Sequence, residues 1–238
     1  MQEKFEALKA AFPHTIPVFA GFTFLGAAYG ILMNSKGYGV GWTALFSFMV
    51  LAGSAQYVAI SFLTSIFNPV HALLMTLMVN ARHLFYGISM LDRYKNTGRL
   101  KPYLIFGLND ETFSLICSVE PPGGIDRNWF MFFITLLNHG YWVFGSVLGG
   151  LLGSVISFNV EGLDFVLTAL FVVTFVDQWK TQKNHKPAVI GVLCSVICLI
   201  IFGQGNFIIP SMITIITVLT IFRKGYADRK ELAEEKIQ

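Results

Sequence analysis

An amide and two carboxylates stand side by side at Asn109, Asp110 and Glu111, inside the apolar stretch "FGLNDETFSLI". One carboxylate at the centre of a membrane helix costs roughly 2.5 to 3.5 kcal/mol on insertion scales, so acids kept there serve a substrate, a proton or an ion pair. Adjacent helical residues point about 100° apart, so Asp110 and Glu111 cannot share one face. One acid faces a cavity or substrate while the other caps a backbone amide or meets a base. The alternative is that both cap a helix at a shallow interface, a place that Asn and Asp favour.

Two further clusters carry chemistry. In "VNARHLFYG", Arg82, His83 and Tyr86 lie on one side of a helix, with Asn80 one turn before His83. Arg82 is too deep in its apolar run to snorkel freely and needs an acidic partner, for which Asp110 and Glu111 are the candidates. The third cluster comes from "AGSAQYVA" and "NHGYWVFGSVLGG", which offer Gly53, Ser54, Gln56, Asn138 and His139 among small residues. An unwound turn there exposes amide N–H groups to a substrate carboxylate and carbonyls to an ammonium or cation. The competing reading is a tight helix crossing through Gly145, Gly149 and Gly153, with His139 hydrogen-bonded inside it.

The elements that must position these residues are membrane helices. With 54% hydrophobic and only 13% charged residues, and 23 phenylalanines, the chain departs from an ordinary soluble domain. Apolar runs recur near the roughly 20 residues that cross about 30 Å of hydrocarbon. Reading them against Gly, Pro and charge gives eight segments: 14–33, 40–66, 69–91, 102–119, 128–156, 163–179, 187–203 and 207–222. Segments 2 and 5 are long and carry small or polar residues midway, which predicts tilt or interruption. Residues 1–12 read as a short surface segment without the basic region and cleavage site of a secretory signal, and 224–238 as a cytoplasmic tail. The fold class is therefore all-α polytopic membrane protein, one transmembrane domain over 1–238. Cys117, Cys194 and Cys198 have the spacing of neither a disulfide framework nor a complete zinc site, and no nucleic-acid partner or cofactor is indicated.

Loop charges set the orientation. If all eight segments cross, basic residues divide eleven to five. If segment 4 enters and returns on one side, fourteen fall on one face and only Lys4 and Lys9 on the other. The count predicts seven crossings plus a re-entrant or broken segment 4, an outside N-terminus and a cytoplasmic C-terminus in the plasma (inner) membrane. Eight spans are the alternative, and a split segment 5 would give the same parity. Segments 1 and 2 also parallel segments 4 and 5 in order, a possible inverted repeat of the kind that frames transporter sites.

These stretches resemble the AzlC family of branched-chain amino acid permeases over about residues 12–222. The family's Y-A-G-A-S-Q-like motif is matched by "LAGSAQY" with Ala and Ser exchanged, and its D-x-R-H-x-x-Y-G-like motif by "NARHLFYG" with Asn80 replacing the acid. Its L-T-D-E-x-F-like motif is matched by "LNDETF" with Asn109 in place of Thr, and W-V-x-G-x-x-x-G by "WVFGSVLGG". The resemblance implies the large subunit of an exporter of leucine, isoleucine, valine and related neutral amino acids, working with a small AzlD-type membrane subunit. Asn80 puts any role of the family's acid there in doubt.

Three functions compete. In a transporter, amides near Gly53, Ser54 and Gln56, with Asn109 and Asn138, meet the substrate, and Asp110 or Glu111 takes its ammonium. Arg82, His83, His139 and the two acids then serve coupling or gating. No nucleotide-binding motif is present, so a gradient supplies the energy. A proton is the natural coupling ion, because burial alters the proton affinity of an acid or imidazole. An intramembrane hydrolase would pair Ser54 with His139 as a dyad. A membrane scaffold would use every polar cluster structurally.

Overall fold

The computed structural model describes residues 2–66, 68–155 and 185–203 continuously, and scattered positions between 165 and 180 and between 207 and 221. They divide into two compact units, Met1–Ala169 and Leu170–Gln238. In the second, Lys186–Phe202 forms one helix, starting with a proline in its first turn as Pro tolerates. Segment 6 falls largely, segment 8 partly and the tail 224–238 wholly outside the described residues. Every secondary-structure element described is helical.

The first unit contains α1 (Gln2–Ser35), α2 (Val40–Met49), α3 (Gly53–Thr64), α4 (Pro69–Met90), α5 (Lys101–Phe106), α6 (Asp110–Ser118) and α7 (Arg127–Val155). Residues 2–12, expected as a short surface segment, are helical. α1 is continuous from Gln2 and carries Pro13 and Pro17 within it, as membrane helices permit when neighbours re-satisfy the freed groups. α4 starts at a strong signal: Asn68 accepts from the Val70 and His71 amides, each at 3.1 Å, with Pro69 in the first turn.

α1 and α7 run parallel over their whole length. Lys4 stacks over Trp129 near their starts, and Gly153 lies against Asn34 near their ends. Between these points glycines let the backbones touch. A Cβ on Gly26 would lie 2.8 Å from Ser146 N and one on Gly145 2.7 Å from Phe22 O, while one on Gly149 would fall onto the Ala27 backbone. Close approach of this kind is how helices associate where no hydrophobic force acts between them.

Segments 2 and 4 are both broken, and both fold back. Tyr38, just before α2, donates to Leu63 O near the end of α3 at 2.8 Å. A chain that continued through α2 and α3 would separate these residues by about 35 Å at 1.5 Å per residue. At the other end, Arg93 donates to Ile116 O at 2.6 Å, and Asn128 donates to Asn96 O at 3.1 Å, so α6 returns to the loop from which α5 departed. At 10, 12, 6 and 9 residues, none of α2, α3, α5 and α6 is long enough to cross alone. The unit is thus three through-running helices, α1, α4 and α7, with two hairpins inserted from opposite ends. Each hairpin has its own apolar packing. Leu104, Leu108 and Ile116 pack with Met90, Phe130 and Ile134, and Leu51, Tyr57 and Ile60 pack with Tyr29, Met33 and Trp142.

Three expectations are corrected by this topology. Segment 5 is uninterrupted: α7 is one helix of 29 residues, because Gly145, Gly149 and Gly153 face α1 instead of opening the backbone. The parallel with segments 1 and 2 that suggested an inverted repeat therefore has no matching break in segment 5. The N-terminus also shares an end of the unit with the basic loop Arg93–Lys101, because segment 2 as well as segment 4 turns back. The loop-charge count puts these two on opposite faces, whereas Lys4 lies over Trp129 and Asn128 donates to Asn96 O at the same end. Within the unit, Lys4, Lys9, Arg93, Lys95, Arg99, Lys101 and Arg127 stand at one end, and only Lys36 at the other. Single cysteines at positions 4, 95 and 36 are expected to label from one face for the first two and from the opposite face for the third. Labelling of 4 and 95 from opposite faces contradicts the two-hairpin topology.

α1 and α7 are each long and apolar enough to cross a bilayer. Exposed Phe24 on α1, Leu84 and Ile88 on α4, and Phe144 on α7 give the unit an apolar exterior.

Candidate functional site at the meeting of two helix breaks

The hairpin tips, residues 50–52 and 107–109, both press on one face of α7. A Cβ on Gly53 would lie 2.9 Å from the Trp142 ring, and one on Gly107 would fall onto Thr135 Cγ2. Thr135, Asn138, His139 and Trp142 are spaced three, four and seven apart, which places them on a single helical stripe. Both glycines are needed because only a residue without Cβ brings the break this close.

Breaking a helix strands backbone groups, and nearby side chains answer them. Gln56 donates to Val50 O, beyond the end of α2, and at 3.3 Å to Phe46 O, which also accepts from the Val50 amide. Its own oxygen accepts from Trp142 Nε1 at 3.0 Å. Gln56, expected at the substrate, is therefore occupied in closing the first break. In the second, Asn109 caps α6 by accepting from Thr112 N at 2.9 Å, and Asn138 donates to Thr112 Oγ1 at 3.1 Å. Asn138 is fully buried, and its Oδ1 has no partner among the described residues. Replacing Gln56 with Leu strands the Val50 carbonyl and the Trp142 N–H, and is expected to cost about 2 kcal/mol or more. A thermal-shift measurement in detergent checks this, and unchanged stability contradicts the role.

On the other side of the tips, α4 supplies Arg82. Its Nη1 pairs with Asp110 Oδ2 at 2.5 Å and its Nη2 donates to Ser54 Oγ at 2.8 Å. One guanidinium thus ties the start of α3 to the start of α6. The planar fork makes this possible, since two of its nitrogens reach two acceptors at fixed geometry. The acidic partner expected for Arg82 is Asp110. The Asp110 carboxylate keeps one oxygen, Oδ1, without a hydrogen-bond partner among the described residues. Tyr86 faces it and stacks on Phe113 at 4.4 Å. Glu111, next along the first turn of α6, is half-buried near the same two charges and makes no ion pair among the described residues.

The two helix starts differ in charge. α6 begins with two acids, whereas α3 has none in its first turn and no side-chain cap from Ala52. The first-turn amides of α3 carry the positive end of a helix dipole and lie beside Arg82. The site is therefore bipolar, with Arg82 and α3 on one side and Asp110 and Glu111 on the other.

The remaining expected residues fall around this centre. His83 Nδ1 lies 3.3 Å from Asn80 O and its ring packs on Tyr86, apart from the ion pair. His139 Nδ1 lies 3.0 Å from the Tyr103 hydroxyl, and its ring stands 5.2 Å from Phe48 and 5.7 Å from Phe106, so it touches the incoming helices of both hairpins. Ser54 and His139 are each bonded to other groups and make no dyad. Sequence reasoning missed Tyr103, Thr112 and Thr135. The α7 spacing around Asn138 and His139 was the available signal for Thr135. Among the described residues no group of acids, histidines and cysteines could hold a metal ion.

Residues 17–156 match the family model described as AzlC protein, a span that contains both hairpins and the whole polar centre. The chain is 56% identical over 218 residues to the branched-chain amino acid transport protein AzlC of Bacillus subtilis, covering 92% of this chain and 86% of that one. It is 43% identical over 217 residues to an uncharacterized membrane protein of Haemophilus influenzae, covering 91% and 89%. It is 26% identical over 192 residues to the inner membrane protein YgaZ of Escherichia coli, covering 76% and 78%. No solved structure matches. With the family match over more than half its length and the Bacillus relative aligned nearly end to end, the chain belongs to the AzlC family.

Proposed function

We propose that the chain is a secondary transporter that exports branched-chain and related neutral amino acids across the plasma membrane. Residues 1–238 would act as one transport domain with a small AzlD-type membrane subunit. The observation that carries this reading is the bipolar site where the two hairpins meet. A neutral amino acid is a zwitterion, and buried charges need partners of opposite sign. Arg82 with the α3 amides suits the carboxylate, and Asp110 with Glu111 suits the ammonium. The name of the Bacillus relative supports the substrate class. The positive-inside rule makes the basic end cytoplasmic, and with it the N-terminus.

Asp110 is held by Arg82, so Glu111 is the acid available to carry a coupling proton. Glu111→Gln is expected to abolish accumulation of leucine driven by a pH gradient while lowering leucine-for-leucine counterflow by no more than about tenfold, since exchange loses one ammonium contact but only the coupled step requires the proton. Proteoliposomes containing the chain, with and without the small subunit, test both claims with radiolabelled L-leucine. Saturable, protonophore-sensitive movement supports the reading. Absence of leucine flux under every gradient contradicts it. Hydrolysis is disfavoured because Ser54 Oγ is bonded to Arg82, a group that does not accept a proton, while His139 is bonded to Tyr103.

A further inference from the structure

The Arg82–Asp110 pair presents the same two charges as the ligand proposed above, a carboxylate bound to a cation. We propose that substrate binds by ion-pair exchange: its α-carboxylate replaces Asp110 on Arg82, and the released Asp110, with Glu111, takes its ammonium. This rests on the transport reading and adds to it a way for binding to be felt by the fold.

Three observations converge. One Arg82 guanidinium bonds Ser54 on one hairpin and Asp110 on the other, so replacing Asp110 on it removes a tie between α6 and α3. The Asp110 side chain is about a quarter exposed, so a ligand can reach its carboxylate, and its buried Oδ1 has no hydrogen-bond partner among the described residues. Glu111 stands beside it with no ion-pair partner among the described residues, ready to share an ammonium. The exchange is charge-balanced. Before it, one carboxylate is paired with Arg82; after it, the ligand carboxylate is paired with Arg82 and the ligand ammonium with Asp110.

A ligand lacking either charge leaves one member of the pair uncompensated in a half-buried site, which is costly. Selectivity for the whole zwitterion follows from that, and the apolar side chain adds to affinity without opening the clasp. Binding of a true substrate separates the hairpins, whereas a half-substrate does not, and this ties recognition to movement.

The test uses three isosteric probes: L-leucine, leucinamide, which lacks the carboxylate, and 4-methylpentanoate, which lacks the ammonium. Competition against radiolabelled leucine is measured on the full chain in nanodiscs. Wild type is expected to prefer leucine over either half-substrate by at least 10-fold. Asp110→Asn, which leaves Arg82 without its carboxylate, is expected to shift preference toward 4-methylpentanoate by at least 10-fold relative to leucine. Arg82→Gln is expected to shift it toward leucinamide by a similar factor. Reciprocal shifts are not produced by a structural role, which would weaken all three probes together.

If wild type binds leucine but preference is unchanged in the variants, or all probes weaken equally, exchange is overturned while transport stands. Should either variant fail to fold, the wild-type ranking decides alone: a half-substrate that binds as tightly as leucine overturns the proposal. If wild type and small subunit together bind no amino acid, the transport reading fails and the exchange with it.

Discussion

Arg82→Ala is expected to reduce leucine counterflow about 100-fold or more, because it removes one of two paired charges and leaves the other buried, a loss of about 3 kcal/mol. The residue has two tasks that separate under substitution. Nη1 reaches Asp110 and Nη2 reaches Ser54, so the guanidinium fixes the distance between the hairpin tips while supplying charge. Arg82→Lys keeps the charge but offers a single compact donor group in place of a fork. It is expected to retain folding close to wild type and to recover less than about a tenth of the counterflow, since a hydrogen bond from a charged donor is worth about a factor of ten or more. Full counterflow in Arg82→Lys would show that the site needs only a positive charge. Ser54→Ala tests the other arm.

The second large effect lies in the frame. Gly149→Val is expected to destabilise the protein by about 3 kcal/mol, since the new side chain meets the Ala27 backbone, which cannot yield as a flexible side chain would. Gly140 lies on the same helix with nothing within 4 Å of where a Cβ would stand, and Gly140→Ala is expected to leave stability unchanged or slightly raised. Thermal unfolding in detergent, followed by size-exclusion chromatography, distinguishes the pair. Equal stability in the two variants contradicts a glycine-mediated α1–α7 contact.

Particular residues show what could be read in advance. The break at Asn109 to Glu111 was legible because two acids in an apolar run are too costly for a plain span, and the loop charges independently pointed to a fold-back. The break before Gly53 was legible as small and polar residues in an overlong segment. That segment 2 also turns back was not, since a lone Lys36 and an uncharged loop at residues 66–68 give the charge count nothing to weigh. Missing that turn put the N-terminus and the Arg93–Lys101 loop on opposite faces of the unit.

The same residue types misled in α7. "NHGYWVFGSVLGG" carries glycines and polar side chains as the broken segments do, yet its helix continues, because Gly145 and Gly149 pack on the α1 backbone at Phe22–Thr23 and Ala27. The four-residue spacing of Gly26 and Gly30 was the overlooked signal.

At the site, the partnership of Arg82 with an acid was legible from cost alone, but the choice of Asp110 was not. It depends on which first-turn position of α6 faces α4, and that angle is fixed by Asn109 capping Thr112 and by Asn138 gripping the same threonine. Gln56 was assigned to substrate from its position near a break. The structure instead engages it with the Val50 and Phe46 carbonyls at the break.

A zwitterionic amino acid is expected to bind between Arg82 and the acids at the start of α6, and a structure of the chain with its small subunit and bound L-leucine would decide the matter. The leucine carboxylate should then lie on Arg82 and the first-turn amides of α3, its ammonium on Asp110 and Glu111, with the Arg82–Asp110 contact opened. Leucine bound away from the hairpin tips, with that contact intact, would contradict this mode of binding.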